Sequence, residues 1–421
     1  MPRRDPERSA GQSAPAPRLA ADDLALRLGV GPERVRQLAD VGAIDADADD
    51  LFDPGDVHRV RLLLAFEEAG VPIEALLAAS QAGAISLRYY DQLHPPPAPL
   101  SGRSYGELKA SAGRGATHLS QLFAAFGLAE PEPDSRLTVE DEQLVTDMLA
   151  TVVETGQPDL ALRAIRLYGE GARRAADGAL GVYGEAVDRA GDNIQGLPVD
   201  DVFERLLRPW ARYAQQSGRL AAWLASHHLS RAIDEYSVTQ TEHVLETAGF
   251  VVVRPDAQPA VAFIDLTGFT RLTEERGDEV AAAMAMRLGE LTTDTVRSQR
   301  GRIVKLLGDG VLVRFDDAVA AAAGTLDLLA ALPAAGLPSA HAGLASGPLI
   351  VRDGDIFGRT VNLAARIADA APDGRLYVPE DVASSLGGDL FRLQPAGDAH
   401  LQGIGRIALV DVGRPRRSPG D

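Results

Sequence analysis

The chain contains no cysteine. That excludes disulfides, thiolate metal sites and a cysteine nucleophile. It also lacks an apolar run long enough to cross a bilayer, and its N-terminal residues lack a signal-peptide apolar core. A cytoplasmic protein is the simplest expectation. Positive charge is short as well: 42 Lys and Arg stand against 60 Asp and Glu, a formal net charge of −18. Phosphate neutralisation needs a basic surface, so nucleic acid is not an expected partner unless one local face is basic. What is present is the composition of a soluble globular chain, 45% hydrophobic and 24% charged. At 421 residues it is too long for a single core.

Residues 1–18 are rich in Arg, Pro, Ala and Ser without apolar periodicity and read as a disordered tail. Residues 19–93 form a helical module. Asp22-Asp23-Leu-Ala-Leu-Arg-Leu-Gly29 predicts a short helix ending at Gly, and Pro32-Glu33 opens a second. After an acidic, turn-rich stretch, Pro54 starts a longer helix with Val57, Val60, Leu63, Leu64 and Phe66 along one stripe. Gly70 ends that helix, and Pro72 begins another.

Leu24-Ala-Leu-Arg-Leu-Gly-Val30, Arg34-Val-Arg-Gln-Leu38, Phe52-Asp-Pro-Gly-Asp-Val57 and Ala69-Gly-Val-Pro72 resemble the helix-turn-helix domain of MerR-type regulators. Between Asp22 and Glu74, however, five Arg (27, 34, 36, 59, 61) face thirteen acids. That balance favours a helix-turn-helix shape used as a sensor or dimerisation module over a DNA reader.

A Pro-rich linker, 94–103, leads to a second helical region, 104–247. Its Leu108, Gly113, Gln121-Leu122, Gly127, Asp141, Gly156 and Pro158 parallel Leu24, Gly29, Gln37-Leu38, Gly42, Asp56, Gly70 and Pro72. The offset drifts from 84 to 86, one residue at a time, as insertions into loops would produce. The parallel predicts a second copy of the module. Long helices are expected over about 159–190 and 201–247. In the latter, Leu207, Trp210, Ala211, Tyr213, Ala214, Leu220, Trp223 and Leu224 make an apolar surface. An intradomain core is its plainest use, a dimer seam or ligand pocket the alternatives. His227, His228 and His243 lie nearby and as a group would titrate near neutral pH.

From about 255 to 413 the apolar period changes. Ala260-Val-Ala-Phe-Ile264 predicts a buried strand, followed by a helix over about 272–299 and a hairpin, Arg302–Phe315, turning at Gly308-Asp309-Gly310. A helix over about 317–332 and a strand from Ala340 complete a split βαβ, or ferredoxin-like, α+β core. Residues 414–421 read as a second disordered tail.

Two carboxylates stand at strand ends here: Asp265, before the turn Thr267-Gly268-Phe269-Thr270, and Asp309, in the hairpin turn. Carboxylates on neighbouring turns suit divalent cations, and exposed amides at a helix start suit phosphate. Lys305, four residues before Asp309, reads on local grounds as its salt-bridge partner. Asn362 and Arg366, four apart on a predicted helix, share one face.

Phe263-Ile-Asp265-Leu-Thr-Gly-Phe-Thr270, Lys305-Leu-Leu-Gly-Asp309, Asp355-Ile-Phe-Gly358 and Val361-Asn362-Leu-Ala-Ala-Arg366 resemble, in order and spacing, four motifs of the class III nucleotidyl cyclases. The resemblance implies a palm-type catalytic domain preceded by an all-α regulatory region. It makes Asp265 and Asp309 ligands of two Mg²⁺ or Mn²⁺. Lys305 and Asp355 become the pair that reads adenine, Asn362 the ribose-orienting residue and Arg366 the transition-state stabiliser. Thr267, Gly268, Phe269 and Thr270 become triphosphate contacts. It implies conversion of ATP to 3′,5′-cyclic AMP in a homodimer with shared sites. The helical half would then take a small-molecule, lipid or proton input. The alternative is a MerR-like DNA-binding regulator whose cyclase-like part senses nucleotide without turnover. One departure stands out: Gln402, in His400-Leu-Gln402-Gly-Ile-Gly405, occupies the place of a phosphate-binding Lys. Losing that contact costs roughly 1.5–3 kcal/mol unless a neighbour such as Arg406 replaces it.

Overall fold

Glycine stops cut the N-terminal stretch into short helices. A computed structural model describes residues 18–85, 87, 94, 97–194, 197, 199–202, 208–250 and 258–415. Most of the two expected tails (1–17 and 416–421), Pro95 and Pro96 of the linker, Leu207 and the His243 side chain lie outside the described residues. The chain divides into two units, 1–236 and 237–421.

In the first unit β1 (Leu19–Ala20) leads into α1 (Ala21–Leu28) and α2 (Pro32–Asp40). β2 (Leu51–Phe52) pairs antiparallel with β1, and α3 (Asp56–Glu68) and α4 (Ile73–Gln81) follow. Gly29 ends α1 at φ 67°, a conformation that costs a residue bearing a Cβ about 1–2 kcal/mol. Leu24, Leu38, Phe52, Val60 and Leu63 form the core beneath these helices.

The plan then repeats. α5 (Tyr105–Ser111), α6 (Ala116–Phe126) and α7 (Val139–Glu154) take the places of α1, α2 and α3, and the start of α8 (Pro158–Ile194) takes that of α4. Leu100 bridges antiparallel to Thr138, where the first copy pairs β1 with β2. Gly113, Gly127 and Gly156 have φ of 54°, 76° and 64°; their counterparts Gly29, Gly42 and Gly70 have 67°, 73° and 83°. Leu108 and Leu122 are buried as Leu24 and Leu38 are.

The arginines of the first copy are engaged by the chain itself. Arg27 donates to the Ala98 carbonyl at 2.7 Å and Arg61 to the Arg27 carbonyl at 3.1 Å. Arg34 pairs with Glu67 at 2.6 Å, Arg36 with Glu33 at 3.1 Å and Arg59 with Asp56 at 3.3 Å. A DNA reader would hold such groups out for phosphate.

α9 (Val199–Val202) and α10 (Arg208–Thr247) end the helical part. Here two expectations fail. Of the described members of the apolar surface only Ala211 is buried, while Tyr213, Leu220 and Leu224 are exposed and Trp223 is 58% exposed. A 40-residue helix runs roughly 60 Å, about twice the diameter of a small domain, and outruns what a small helical module can cover. The histidines do not form a group either. His243 lies fifteen residues beyond His228 on the same helix, roughly 22 Å away along its axis.

The second unit opens with β3 (Ala260–Leu266), α11 (Phe269–Arg276), α12 (Asp278–Arg297), β4 (Arg302–Leu306), β5 (Gly310–Phe315), α13 (Ala318–Ala331) and β6 (Ala340–Ser346). This is the expected βαββαβ core, except that the first helix is two, broken at Gly277 (φ 87°, ψ 165°). β7 (Ile350–Arg352) and β8 (Asp355–Phe357) make a separate hairpin, and α14 (Arg359–Ala370) follows. β9 (Leu376–Pro379), α15 (Glu380–Ser385), β10 (Arg392–Leu401) and β11 (Gly405–Gly413) extend the main sheet to the order β10-β11-β9-β6-β3-β5-β4.

Alternation along β3 sorts the layers. Ala260, Ala262, Ile264 and Leu266 pack in one core with Leu288 of α12 and Ala321 and Leu328 of α13. Val261 and Phe263 pack on the other face with Leu312, Ile356 and Ala364 of α14. Asp265 shares that second face by parity. α14 sits tight on β6 because Gly343 leaves room: a Cβ there would lie 2.1 Å from the Ala368 nitrogen. Gly343→Ala is therefore expected to destabilise the protein by about 1–3 kcal/mol. Gly178→Ala in α8, where a Cβ meets nothing within 4 Å, should be neutral or stabilising. Thermal unfolding of the two variants checks the contrast.

Candidate active site

Asp265 lies opposite Gly310 on β5 and His341 on β6. Gly310 is needed there, since a Cβ would stand 2.8 Å from Asp265 Oδ1. Asp309, in the β4–β5 turn, accepts through its carbonyl from the Leu266 amide at 2.9 Å, fastening that turn beside the end of β3. Partial burial raises the Asp265 pKa, and the Asp309 charge raises it further; His341 acts the other way and Asp369 adds a smaller rise. His341 Nε2 is 3.8 Å from Asp265 Oδ2.

A partly desolvated carboxylate beside a second one is a donor set that a hard divalent cation relieves. Among the described residues no three His, Asp or Glu side chains gather into a metal cage. An ion on Asp265 and Asp309 would complete its shell with water or phosphate oxygens, which is how Mg²⁺ is commonly held.

Of the four expected phosphate contacts, Thr267 is engaged elsewhere. Its amide donates to the Ser339 carbonyl at 2.7 Å and its hydroxyl to Asp373 Oδ1 at 2.7 Å. Gly268 (φ 71°) caps α11, and Phe269 and Thr270 lie in its first turn, whose amides have no intrahelical acceptor.

Lys305 does not pair with Asp309. A bulge between Ile303 and Lys305 changes its register, and Nζ lies 2.5 Å from Oδ2 of Asp355 on β8. Hydrogen bonding from Lys305 is the main cause lowering the Asp355 pKa, so this carboxylate stays ionised and ready to accept from an amine. Asn362 and Arg366 lie on the exposed face of α14, while Ala364, Ile367 and Ala368 face the sheet. Arg366 pairs with Asp369 at 3.2 Å. Among the described residues no hydrogen bond or ion pair joins Asn362 or Arg366 to Asp265 or Asp309. Gln402 sits in the β10–β11 turn, and Arg406 is held by Asp398 at 2.7 Å.

One chain thus gathers two separate pairs, Asp265 with Asp309 and Lys305 with Asp355, and leaves Asn362 and Arg366 facing outward. His341 lies beside Asp265, Asp369 acts on it electrostatically and Asp373 holds Thr267; all three escaped the sequence reading. His341 had a signal: it is the one ionisable residue in the otherwise small and apolar run Ala340–Ala345.

No protein-family model matches the chain. It is 39% identical over 132 residues to an adenylate cyclase of Streptomyces coelicolor, covering 31% of this chain and 35% of that one. It is 38% identical to an adenylate cyclase of Streptomyces griseus, covering 31% and 33%. The chain therefore spans about a third of the length of these relatives. A longer match, 28% identical over 315 residues, joins 70% of this chain to 74% of a pH-sensitive adenylate cyclase of Mycobacterium tuberculosis. Among solved structures, an adenylyl cyclase from P. aeruginosa is 24% identical, covering 39% of this chain and 97% of that one at a TM-score of 0.35.

The electrostatics of Asp265 predict a stability effect. Its raised pKa means the native state holds the proton more tightly than the unfolded one, so stability falls as pH rises through the native value. In metal-free protein Asp265→Asn should raise the thermal midpoint at pH 7. The gain should vanish near about pH 3, where the wild-type carboxyl is already protonated. A lower midpoint for the variant at pH 7 would contradict this.

Proposed function

We propose that this relative of the class III nucleotidyl cyclases is an adenylate cyclase, forming 3′,5′-cyclic AMP and pyrophosphate from ATP. The second unit has the fold of a cyclase catalytic domain. The observation that carries the proposal is the Lys305–Asp355 pair beside, but separate from, the Asp265–Asp309 pair. An ammonium donor and an ionised acceptor side by side match the ring nitrogen and exocyclic amine of adenine.

In this reading the ATP 3′-oxygen attacks the α-phosphorus, the bond to the β-phosphate oxygen breaks, pyrophosphate leaves, and the hydroxyl proton passes to water. Asp265 and Asp309 would hold two Mg²⁺ or Mn²⁺, whose chemistry when bound is to acidify the 3′-hydroxyl and neutralise the triphosphate. The Gly268, Phe269 and Thr270 amides receive phosphate oxygens at the start of α11. Lys305 and Asp355 fix the base, Asn362 orients the ribose, and Arg366 stabilises the charge that grows on the phosphoryl oxygens. Arg366 must leave Asp369, and Arg406 must leave Asp398, to reach nucleotide.

Asn362 and Arg366 face away from their own sheet, which supports a homodimer in which they serve the partner's metal pair. The duplicated helical modules then regulate how the catalytic units meet. The match to a pH-sensitive adenylate cyclase reaches 70% of this chain and supports a proton input, although His227, His228 and His243 do not form a group. DNA binding is the weaker reading, because the arginines of the first module are tied within the chain. A cytoplasmic location is part of the same proposal, since ATP is the substrate it assigns. No helix among the described residues is long and apolar enough to cross a membrane.

Purified full-length protein with ATP and Mn²⁺ is expected to release cyclic AMP. Arg366→Ala should lower kcat by about 10²–10³-fold while leaving the thermal midpoint unchanged. Absence of product at high enzyme concentration would overturn the proposal.

A further inference from the structure

We propose that Asp373 is a positioning residue for the metal-binding end of β3, acting through Thr267. The inference rests on the adenylate cyclase reading above. Asp373 lies in the loop between α14 and β9, and its side chain reaches a residue 106 positions earlier in the chain. Thr267 Oγ1 donates its single hydroxyl proton to Asp373 Oδ1 at 2.7 Å. The Thr267 amide donates to the Ser339 carbonyl, also at 2.7 Å, in the segment that leads into β6. Two bonds to two different loops thus hold the residue that stands between Asp265 and the left-handed turn at Gly268.

The arrangement continues toward the metal pair. With its proton committed to Asp373, the Thr267 hydroxyl can act only as an acceptor elsewhere, and His341 Nδ1 is 3.5 Å from it. The other nitrogen of the same ring is 3.8 Å from Asp265 Oδ2. Asp265, His341, Thr267 and Asp373 form one continuous polar run from the metal carboxylate to the α14–β9 loop.

The position of Asp373 argues for work at the site. It is exposed, and among the described residues Thr267 is its side-chain hydrogen-bond partner. An acid beside the turn that receives a triphosphate opposes the ligand by charge. A hydrogen-bond acceptor there is useful only for what it holds in place, which is the spacing between the Asp265 carboxylate and the α11 amides. Partners that orient metal ligands typically change metal affinity by about 10–100-fold when removed.

Mn²⁺ binding to the full-length protein, read from the electron paramagnetic resonance of free Mn²⁺, tests this alongside cyclic AMP formation. Asp373→Ala and Thr267→Val should each weaken Mn²⁺ binding by about tenfold. The double variant should be no weaker than either single one, because both remove the same bond. Asp373→Asn, which keeps an acceptor oxygen, should restore binding to within about twofold. Should Asp373→Ala fail to fold, Thr267→Val and Asp373→Asn still decide the matter. Wild-type affinity in Asp373→Ala or Thr267→Val, or losses that add in the double variant, would overturn the positioning role while wild-type turnover left the cyclase reading intact. A wild-type protein that neither binds Mn²⁺ nor forms cyclic AMP would overturn both.

Discussion

The backbone pairing that fixes the end of β3 against the β4–β5 turn is the constraint on which the candidate site of the second unit depends. Strand pairing sets Asp265 at the end of β3, and the Leu266 amide ties the Asp309 turn beside it. Backbone bonds of this kind do not relax when the side chains repel. Burial first, and then the Asp309 charge, raises the Asp265 pKa in this arrangement, and a cation would relieve both. Gly310 belongs to the same design, because any side chain there would displace the Asp265 carboxylate.

Everything else in the unit either supports that end of the sheet or faces away from it. Gly343 lets α14 lie close on β6, which sends Ala364 and Ala368 inward and Asn362 and Arg366 outward. The β4 bulge carries Lys305 away from Asp309 and onto Asp355. Asn362 and Arg366 make no hydrogen bond or ion pair to Asp265 or Asp309 among the described residues, which is the observation on which the proposal of shared sites rests.

Much of this was legible in residue order. The ferredoxin-like core follows from apolar strands bounded by turn residues, and the Asp-Gly pair marked the hairpin. Glycine takes positive φ cheaply, so the glycines of the two helical stretches could be read as turn positions, and all six do take positive φ. Other features were not legible. Lys305 and Asp355, 50 residues apart, were joined only through the resemblance, because a contact across that separation leaves no local spacing to read. One helix was expected over about 272–299, and the break at Gly277 was not foreseen, because a single glycine does not by itself end a helix. Periodicity also reported an apolar face on α10 without telling whether anything covers it. Asp373 was silent because an acid in a loop has no pattern until the fold brings Thr267 to it.

The central claim is that one site draws its metal ligands and its catalytic Asn and Arg from different chains. The most direct test mixes two inactive variants, Asp309→Ala and Asn362→Ala, and measures cyclic AMP formation after subunit exchange. If sites are shared, the mixed dimer holds one fully intact site and one doubly damaged one, so activity should return toward about a quarter of wild type: half of randomly exchanged dimers are mixed, and each has one of two sites. Persistent silence in a mixture shown to contain mixed dimers would contradict the account.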